Sequence, residues 1–339
     1  MAAGWGDGGA LFHLGVQFHF GEGGVEADHA VAMALFRAAA EQGVSVAQCN
    51  LAGLTAKDGN AEEAARLMRL AADAGDAVAQ FSLGIMYEDG HGVEVDMEEA
   101  AHLMRLAAAQ GDSDAQYNLG VMFEKGRGVE LDYEEAARLF ALAAAQGDAA
   151  ARYELGVLHD KGRGVDVNHG EAARLFGLAA EEGNVDALFG LGVLYHVGRG
   201  VEVDYGEAAR LYALAAAEGH ARAQANLGAL YDRGLGVGVD HGEAARLFGL
   251  AAEQGDANAL FNLAVLYEEG RGVEVDYAEA AWLYGQAAEQ GDAGAQLNLA
   301  VLHEEGLGVP VDYEEAVRLY RLSAAQGDAS ARTALARLL

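Results

Sequence analysis

The stretch Gly111–Gln146, GDSDAQYNLGVMFEKGRGVELDYEEAARLFALAAAQ, decides the fold, because its pattern recurs along most of the chain. Asp112 can offer a side-chain oxygen to the free N–H groups that open a helix. Ala115, Leu119, Met122 and Phe123 then follow at three- and four-residue spacing, the period of an amphipathic helix. Gly126 ends that helix, since glycine adopts the left-handed C′ conformation without penalty. The connector GRGVEL places Val129 between the helices. Asp132 caps a second helix, with Glu135 three residues on forming a capping-box-like pair. Its buried stripe is Ala136, Leu139, Phe140 and Ala143, and Gly147 opens the next copy. The stretch therefore predicts two antiparallel helices joined by a glycine-rich turn.

The same glycine mark stands at Gly75, Gly111, Gly147, Gly183, Gly219, Gly255, Gly291 and Gly327, each 36 residues after the last. Gly43 and Gly6 extend the series upstream. The resulting units are 6–42, 43–74, 75–110, 111–146, 147–182, 183–218, 219–254, 255–290 and 291–326, after a leader 1–5 and before a terminal helix 327–339. A fixed period of this size means that each unit buries its apolar face by stacking on a neighbour. A single array is expected, although 339 residues would suit two globular domains. The first unit is lengthened in its connector (GEGGVEADH, Gly21–His29) and the second is shortened (TAKDGNAEEA), as befits an N-terminal capping region. The last helix, ARTALARLL, is expected to cap the other end. Counting Gly111 as position 0, Gly120 occupies position 9, with Gly84, Gly156, Gly192 and Gly228 as counterparts and Ala264 and Ala300 later. A mid-helix glycine costs about 1 kcal/mol in propensity, so its recurrence implies a close approach between helices.

The string A-x-A-Q-x-N-L-G-V-L-Y-E-x-G-x-G-V-x-x-D-x-x-x-A resembles the Sel-1-like repeat, a relative of the tetratricopeptide repeat. AVAQFSLGIMYEDGHGVEVDMEEA (Ala77–Ala100) and ANALFNLAVLYEEGRGVEVDYAEA (Ala257–Ala280) carry the likeness, which runs from Gly6 to Leu339. Tetratricopeptide repeats have a shorter inter-helix turn and usually a proline near the unit end, whereas this chain has the long G-x-G-V-x-x-D connector and one proline, Pro310. The resemblance implies an all-α, right-handed superhelical α-solenoid of antiparallel helix pairs. It also implies a non-catalytic scaffold or adaptor that binds a protein or peptide, with a structural subunit of a larger assembly as the alternative.

Composition narrows the partners. Twenty-two Lys and Arg against 53 Asp and Glu leave a net charge of −31. Such a chain repels nucleic acid and anionic membranes, which bind through clustered Lys and Arg. A hydrophobic content of 52% is too high for a disordered acidic tail. No apolar run reaches the roughly 18 residues of a membrane span. The opening MAAGWGDGGA has neither the basic region nor the apolar core of a signal peptide, so a soluble, cytoplasmic protein is expected.

Motifs that might carry chemistry fit the repeat better. Triplets such as Gly126-Arg127-Gly128 lack the third glycine, lysine and preceding strand of a phosphate loop. The chain has five Ser, two Thr and one cysteine, Cys49, which falls on the position-6 row. Carboxylate pairs such as Glu134 and Glu135 recur in first turns, where negative charge favours the helix dipole. His159 and His303 stand where other units have tyrosine. His196 replaces an acid at position 13, between Asp160 one unit earlier and Asp232 one unit later. Stacked helices lie about 8–10 Å apart, which makes common ligation by this row awkward. No catalytic residue, metal or cofactor is expected.

If the first helices line a groove, as in tetratricopeptide arrays, positions 3, 6, 10, 13 and 14 face a partner. Position 6 gives Phe81, Tyr117, Tyr153, Phe189, Phe261 and Leu297, broken by Ala225. Position 13 gives Glu88, Glu124, Asp160, His196, Asp232, Glu268 and Glu304. An aromatic row beside an acidic row suits a segment with apolar anchors and Lys or Arg, so the partner is expected to be basic. Two plainer readings stand beside this one: aromatics packed between units, and acids on a solvated face. Trp282 breaks the periodicity where other units carry Arg138, Arg174, Arg210, Arg246 or Arg318, and Gln286 replaces leucine one turn on. The pair is either a compensated swap or an exposed aromatic anchor. Self-association through the array ends is the other expected contact.

Overall fold

The computed structural model describes residues 7–339, so the leader and the Gly6 mark lie outside the described residues. The described residues form 19 helices and no strand. They fall into two compact units, one ending at Asn168 and one running from His169 to Leu339. The first unit holds α1 (Gly8–Phe20), α2 (His29–Glu41), α3 (Ser45–Lys57), α4 (Ala61–Asp73), α5 (Ala77–Asp89), α6 (Met97–Ala109), α7 (Ser113–Lys125), α8 (Tyr133–Ala145) and α9 (Ala149–Lys161). The second holds α10 (His169–Glu181), α11 (Val185–Val197), α12 (Tyr205–Ala217), α13 (Ala221–Arg233), α14 (His241–Glu253), α15 (Ala257–Glu269), α16 (Tyr277–Glu289), α17 (Ala293–Glu305), α18 (Tyr313–Ala325) and α19 (Ala329–Leu338). Within each unit, consecutive helices pack on one another, so helix pairs stack into a layered α-only array.

The expected caps are in place. Asp112 accepts from the Ala115 N–H at 2.8 Å, and Gly126 closes α7 at φ +64° with its N–H on the Met122 carbonyl. Asp132 accepts from the N–H groups of Glu134 and Glu135. The capping box is not formed, however. The Asp132 N–H already donates to the Phe123 carbonyl at 3.0 Å, which leaves nothing for Glu135 to reach back to. Glu135 turns outward and takes a bidentate bond from Arg138 instead.

At Gly120, Gly192 and Gly228 the position-9 glycine makes room for a ring, and at Gly84 for Met104. A Cβ on Gly120 would lie 2.7 Å from Phe140, and one on Gly192 would lie 2.7 Å from Tyr212. Phe140 and Tyr212, on the second helices, are fully buried. The close approach read from sequence is thus between a first-helix backbone and a large second-helix side chain, a ring or Met104.

Two further devices tie helix pairs to their neighbours. The second glycine of the connector lies against the first turn of the preceding pair's second helix. A Cβ on Gly128 would meet the Met97 carbonyl oxygen at 1.9 Å, and one on Gly236 would meet Tyr205 backbone at 2.2 Å. The other device is a glutamine relay that sequence reading missed. Gln116 donates to the Ala108 carbonyl of the previous pair at 3.2 Å and accepts from Gln146 at 2.9 Å. Gln80 with Gln110, Gln224 with Gln254 and Gln296 with Gln326 repeat the accepting half. Buried polar side chains of this kind are tolerated because their hydrogen bonds are made.

The shortened second repeat keeps its helices by other means. Val44 gives α3 no side-chain cap, and the turn to α4 passes through Gly59 at φ +86° to Asn60, which accepts from the Glu63 N–H.

Candidate functional site

The position-6 side chains stand at the boundary between core and surface. Tyr117 lies 5.8 Å from the Phe140 ring, Phe261 lies 5.8 Å from Tyr284, and Phe189 lies 5.9 Å from Tyr212. Phe81 packs on the cluster around Met104. Phe81, Tyr117, Tyr153 and Phe261 are each half-buried, so one side of each ring is packed and part remains open. Phe189 is buried, with His220 stacked on it at 4.6 Å and the Arg222 guanidinium 4.7 Å from its centre. His220 replaces the usual acidic cap: its Nδ1 accepts from the Ala223 N–H at 3.1 Å.

The acids of position 13 do not form a solvated face. Glu88 pairs with Arg127 at 2.7 Å, and Asp232 pairs with Arg271 at 2.6 Å and with His241 at 2.9 Å. The Tyr284 hydroxyl donates to Glu268 at 2.6 Å, and the Tyr320 hydroxyl donates to Glu304 at 2.8 Å. Glu304 also pairs with Arg337. Glu124 and Asp160 are half-buried on the same row. Sequence reasoning missed the arginines that meet this row from the following repeat. Their signal was the G-R-G connector at Arg127 and Arg271.

Burial and the neighbouring Glu268 carboxylate raise the Tyr284 hydroxyl well above the ordinary tyrosine range. Burial and Glu304 do the same to Tyr320, and burial pushes Tyr212 up to about 12. A phenol whose pKa is raised on folding contributes stability that is complete below its unfolded value of about 10 and is lost as pH climbs beyond it. The urea midpoint is therefore expected to hold up to about pH 10 and to fall above it. Tyr284→Phe combined with Tyr320→Phe should flatten that alkaline fall, which denaturation at stepped pH would read.

The Asp-His-Asp row does not converge. His196 sets its ring edge-on to Tyr205 at 5.4 Å, while Asp232 is taken up by Arg271 and His241. Burial and the nearby Arg233 lower the His196 pKa, so the ring is held neutral among aromatics. Among the described residues no group of three or more His, Cys, Asp or Glu could hold a metal. Burial pushes the Cys49 thiol up to about 11, which leaves little thiolate to act as a nucleophile.

The positions expected to face a partner do converge at one place in the second unit. An open hollow of about 530 Å³ is lined from α17 by Leu297, Val301, Glu304 and Glu305, which are positions 6, 10, 13 and 14. Tyr320 of α18 forms its floor, and Ser330, Thr333 and Arg337 of α19 supply positions 3, 6 and 10 of the next repeat. Trp282 lies elsewhere, on α16, and is 57% exposed, so it does not fold under as a buried substitute. No described helix is long and apolar enough to cross a membrane.

The family model described as Sel1 repeat matches residues 9–44, 45–76, 77–112, 113–148, 149–184, 185–220, 221–256, 257–292 and 293–328. No curated protein matches the sequence. Among solved structures, a protective antigen of uropathogenic Escherichia coli strains displaying an SLR fold is similar at 30% identity and a TM-score of 0.80, over 98% of this chain and 80% of the antigen. A Sel1 repeat protein from Oxalobacter formigenes is similar at 30% identity and a TM-score of 0.71, over 97% of this chain and 93% of that protein.

Proposed function

Because the chain belongs to the Sel1 repeat family, whose helical repeats generally mediate protein–protein interaction, we propose that it is a non-catalytic scaffold holding a basic polypeptide segment along its first helices. The observation that carries this reading is the hollow between α17 and α19. There the groove positions gather, and an arginine of the chain itself, Arg337, lies against Glu304 beside Tyr320. A partner's Lys or Arg would meet an acid and an aromatic of one first helix at Glu124 and Tyr117, both half-buried on α7. The half-open rings of Phe81, Tyr117, Tyr153 and Phe261 would supply apolar anchors.

Affinity capture on the immobilised chain tests this. A basic partner should be retained at low salt and released at high salt, and Glu124→Gln with Glu268→Gln should weaken capture roughly tenfold. Salt-insensitive capture that ignores both substitutions would sink the groove reading.

The alternative, a structural subunit held in a larger assembly, draws support from an exposed apolar row on the connectors. Val95, Leu131 and Val167 belong to it in the first unit and Val203, Val239, Val275 and Val311 in the second. It predicts a concentration-dependent mass in light scattering, abolished by aspartate at Val239 and Val275.

A further inference from the structure

The outer face of the second helices carries a repeated ion pair. Arg138 bonds both carboxylate oxygens of Glu135 through Nε and Nη2, at 2.7 and 2.6 Å. Arg174 with Glu171, Arg210 with Glu207, Arg246 with Glu243 and Arg318 with Glu315 repeat the same fork, as does Arg66 with Glu63 in the shortened repeat. The guanidinium holds Glu63, Glu135, Glu207, Glu243 and Glu315 below the ordinary carboxylate range.

On α16 the pattern is broken on one side only. Glu279 keeps the acid's place, its N–H donating to the Asp276 cap at 3.0 Å. Trp282 stands in the arginine's place with its side chain largely in solvent. No cation among the described residues pairs with the Glu279 carboxylate, because the flanking Arg246 and Arg318 are committed to their own glutamates. The result is an acceptor carboxylate beside an open indole, without the guanidinium held at Glu63, Glu135, Glu171, Glu207, Glu243 and Glu315; Glu99 of α6, followed by His102, lacks the arginine too but has no indole.

We propose that Glu279 and Trp282 form a docking point for an arginine side chain of a partner polypeptide, its guanidinium forked onto the Glu279 carboxylate and stacked on the Trp282 indole. Charge complementarity selects this occupant. The chain bears a net charge of −31, so a basic segment is drawn to it while a second copy is repelled. Arginine rather than lysine is specified, because the planar fork matches a carboxylate with two bonds and lies flat on an aromatic face. The docking point lies on a second helix, away from the first-helix groove, and stands or falls without it.

The test uses the full chain carrying Trp5→Phe, which leaves Trp282 as the one tryptophan, since the chain has two. Capped Gly-Arg-Gly-Arg-Gly is titrated at physiological ionic strength while Trp282 emission is followed, with Lys and Gln versions of the peptide in parallel. A saturable response to the Arg peptide is expected, about tenfold weaker with Lys and absent with Gln. Glu279→Gln should weaken it about tenfold, whereas Glu124→Gln with Glu268→Gln should leave it unchanged. Trp282→Arg, which restores the pattern of the other repeats and so keeps the fold, should remove the Trp282-dependent site in calorimetry. The proposal is overturned by an absent response, by equal responses to Arg and Lys, by indifference to Glu279→Gln, or by light scattering in which Trp282→Arg abolishes self-association.

Discussion

Gly236→Ala is expected to lower the stability of the chain by about 3–5 kcal/mol, the sum of a left-handed backbone forced on alanine and an overpacked contact. Gly236 sits at φ +71°, and its Cβ would fall 2.2 Å from the carbonyl carbon of Tyr205, where only backbone could yield. Gly255→Ala is the matched control. It has the same hand, at φ +82°, but nothing lies within 4 Å of its Cβ. Its expected cost is about 1 kcal/mol, the conformational part alone. Urea unfolding of the two variants measures the difference. Equal midpoints would show that the second connector glycine is a turn residue only, and not the contact that lets one repeat seat on the next.

Phe140→Ala is expected to cost about 3–5 kcal/mol, the usual range for emptying a ring-sized site in a core. The ring is fully buried, covers Gly120 and supports Tyr117. Gly120→Ala pushes a methyl into the same space, and its helix propensity gain of about 1 kcal/mol offsets part of the strain. In the double variant the methyl occupies part of the emptied volume, so the combined loss should fall short of the sum by about 1 kcal/mol. Strict additivity in a double-mutant cycle would contradict the account of the position-9 glycines.

Much of the fold was legible because its determinants are local. Asp112, Gly126 and Asp132 act within a few residues of themselves, so a single repeat was enough to place both helices and the turn. What escaped the sequence acts across repeats. Gln116 looks like one more polar residue on a helix until the Ala108 carbonyl of the previous pair is beside it. Glu88 reads as a solvated acid until Arg127 arrives from the next repeat. Glu135 was misread for a different reason: the capping-box spacing was present, but the Asp132 N–H it needed was already spent on Phe123. The candidate groove was legible as rows, and its half-buried, internally bonded character was not. The break at Trp282 was visible in sequence, whereas the unpaired Glu279 beside it needed the ion pairs of the other repeats for contrast.

The central claim is that a basic partner lies along the first helices, and zero-length carbodiimide cross-linking of a captured partner tests it most directly. The reagent joins lysine to carboxylates in contact, and peptide mass spectrometry locates the bond. Cross-links to Glu124, Glu268, Glu304 or Glu305, all on first helices, are the predicted result. Cross-links confined to second-helix acids such as Glu134 or Glu314 would contradict it.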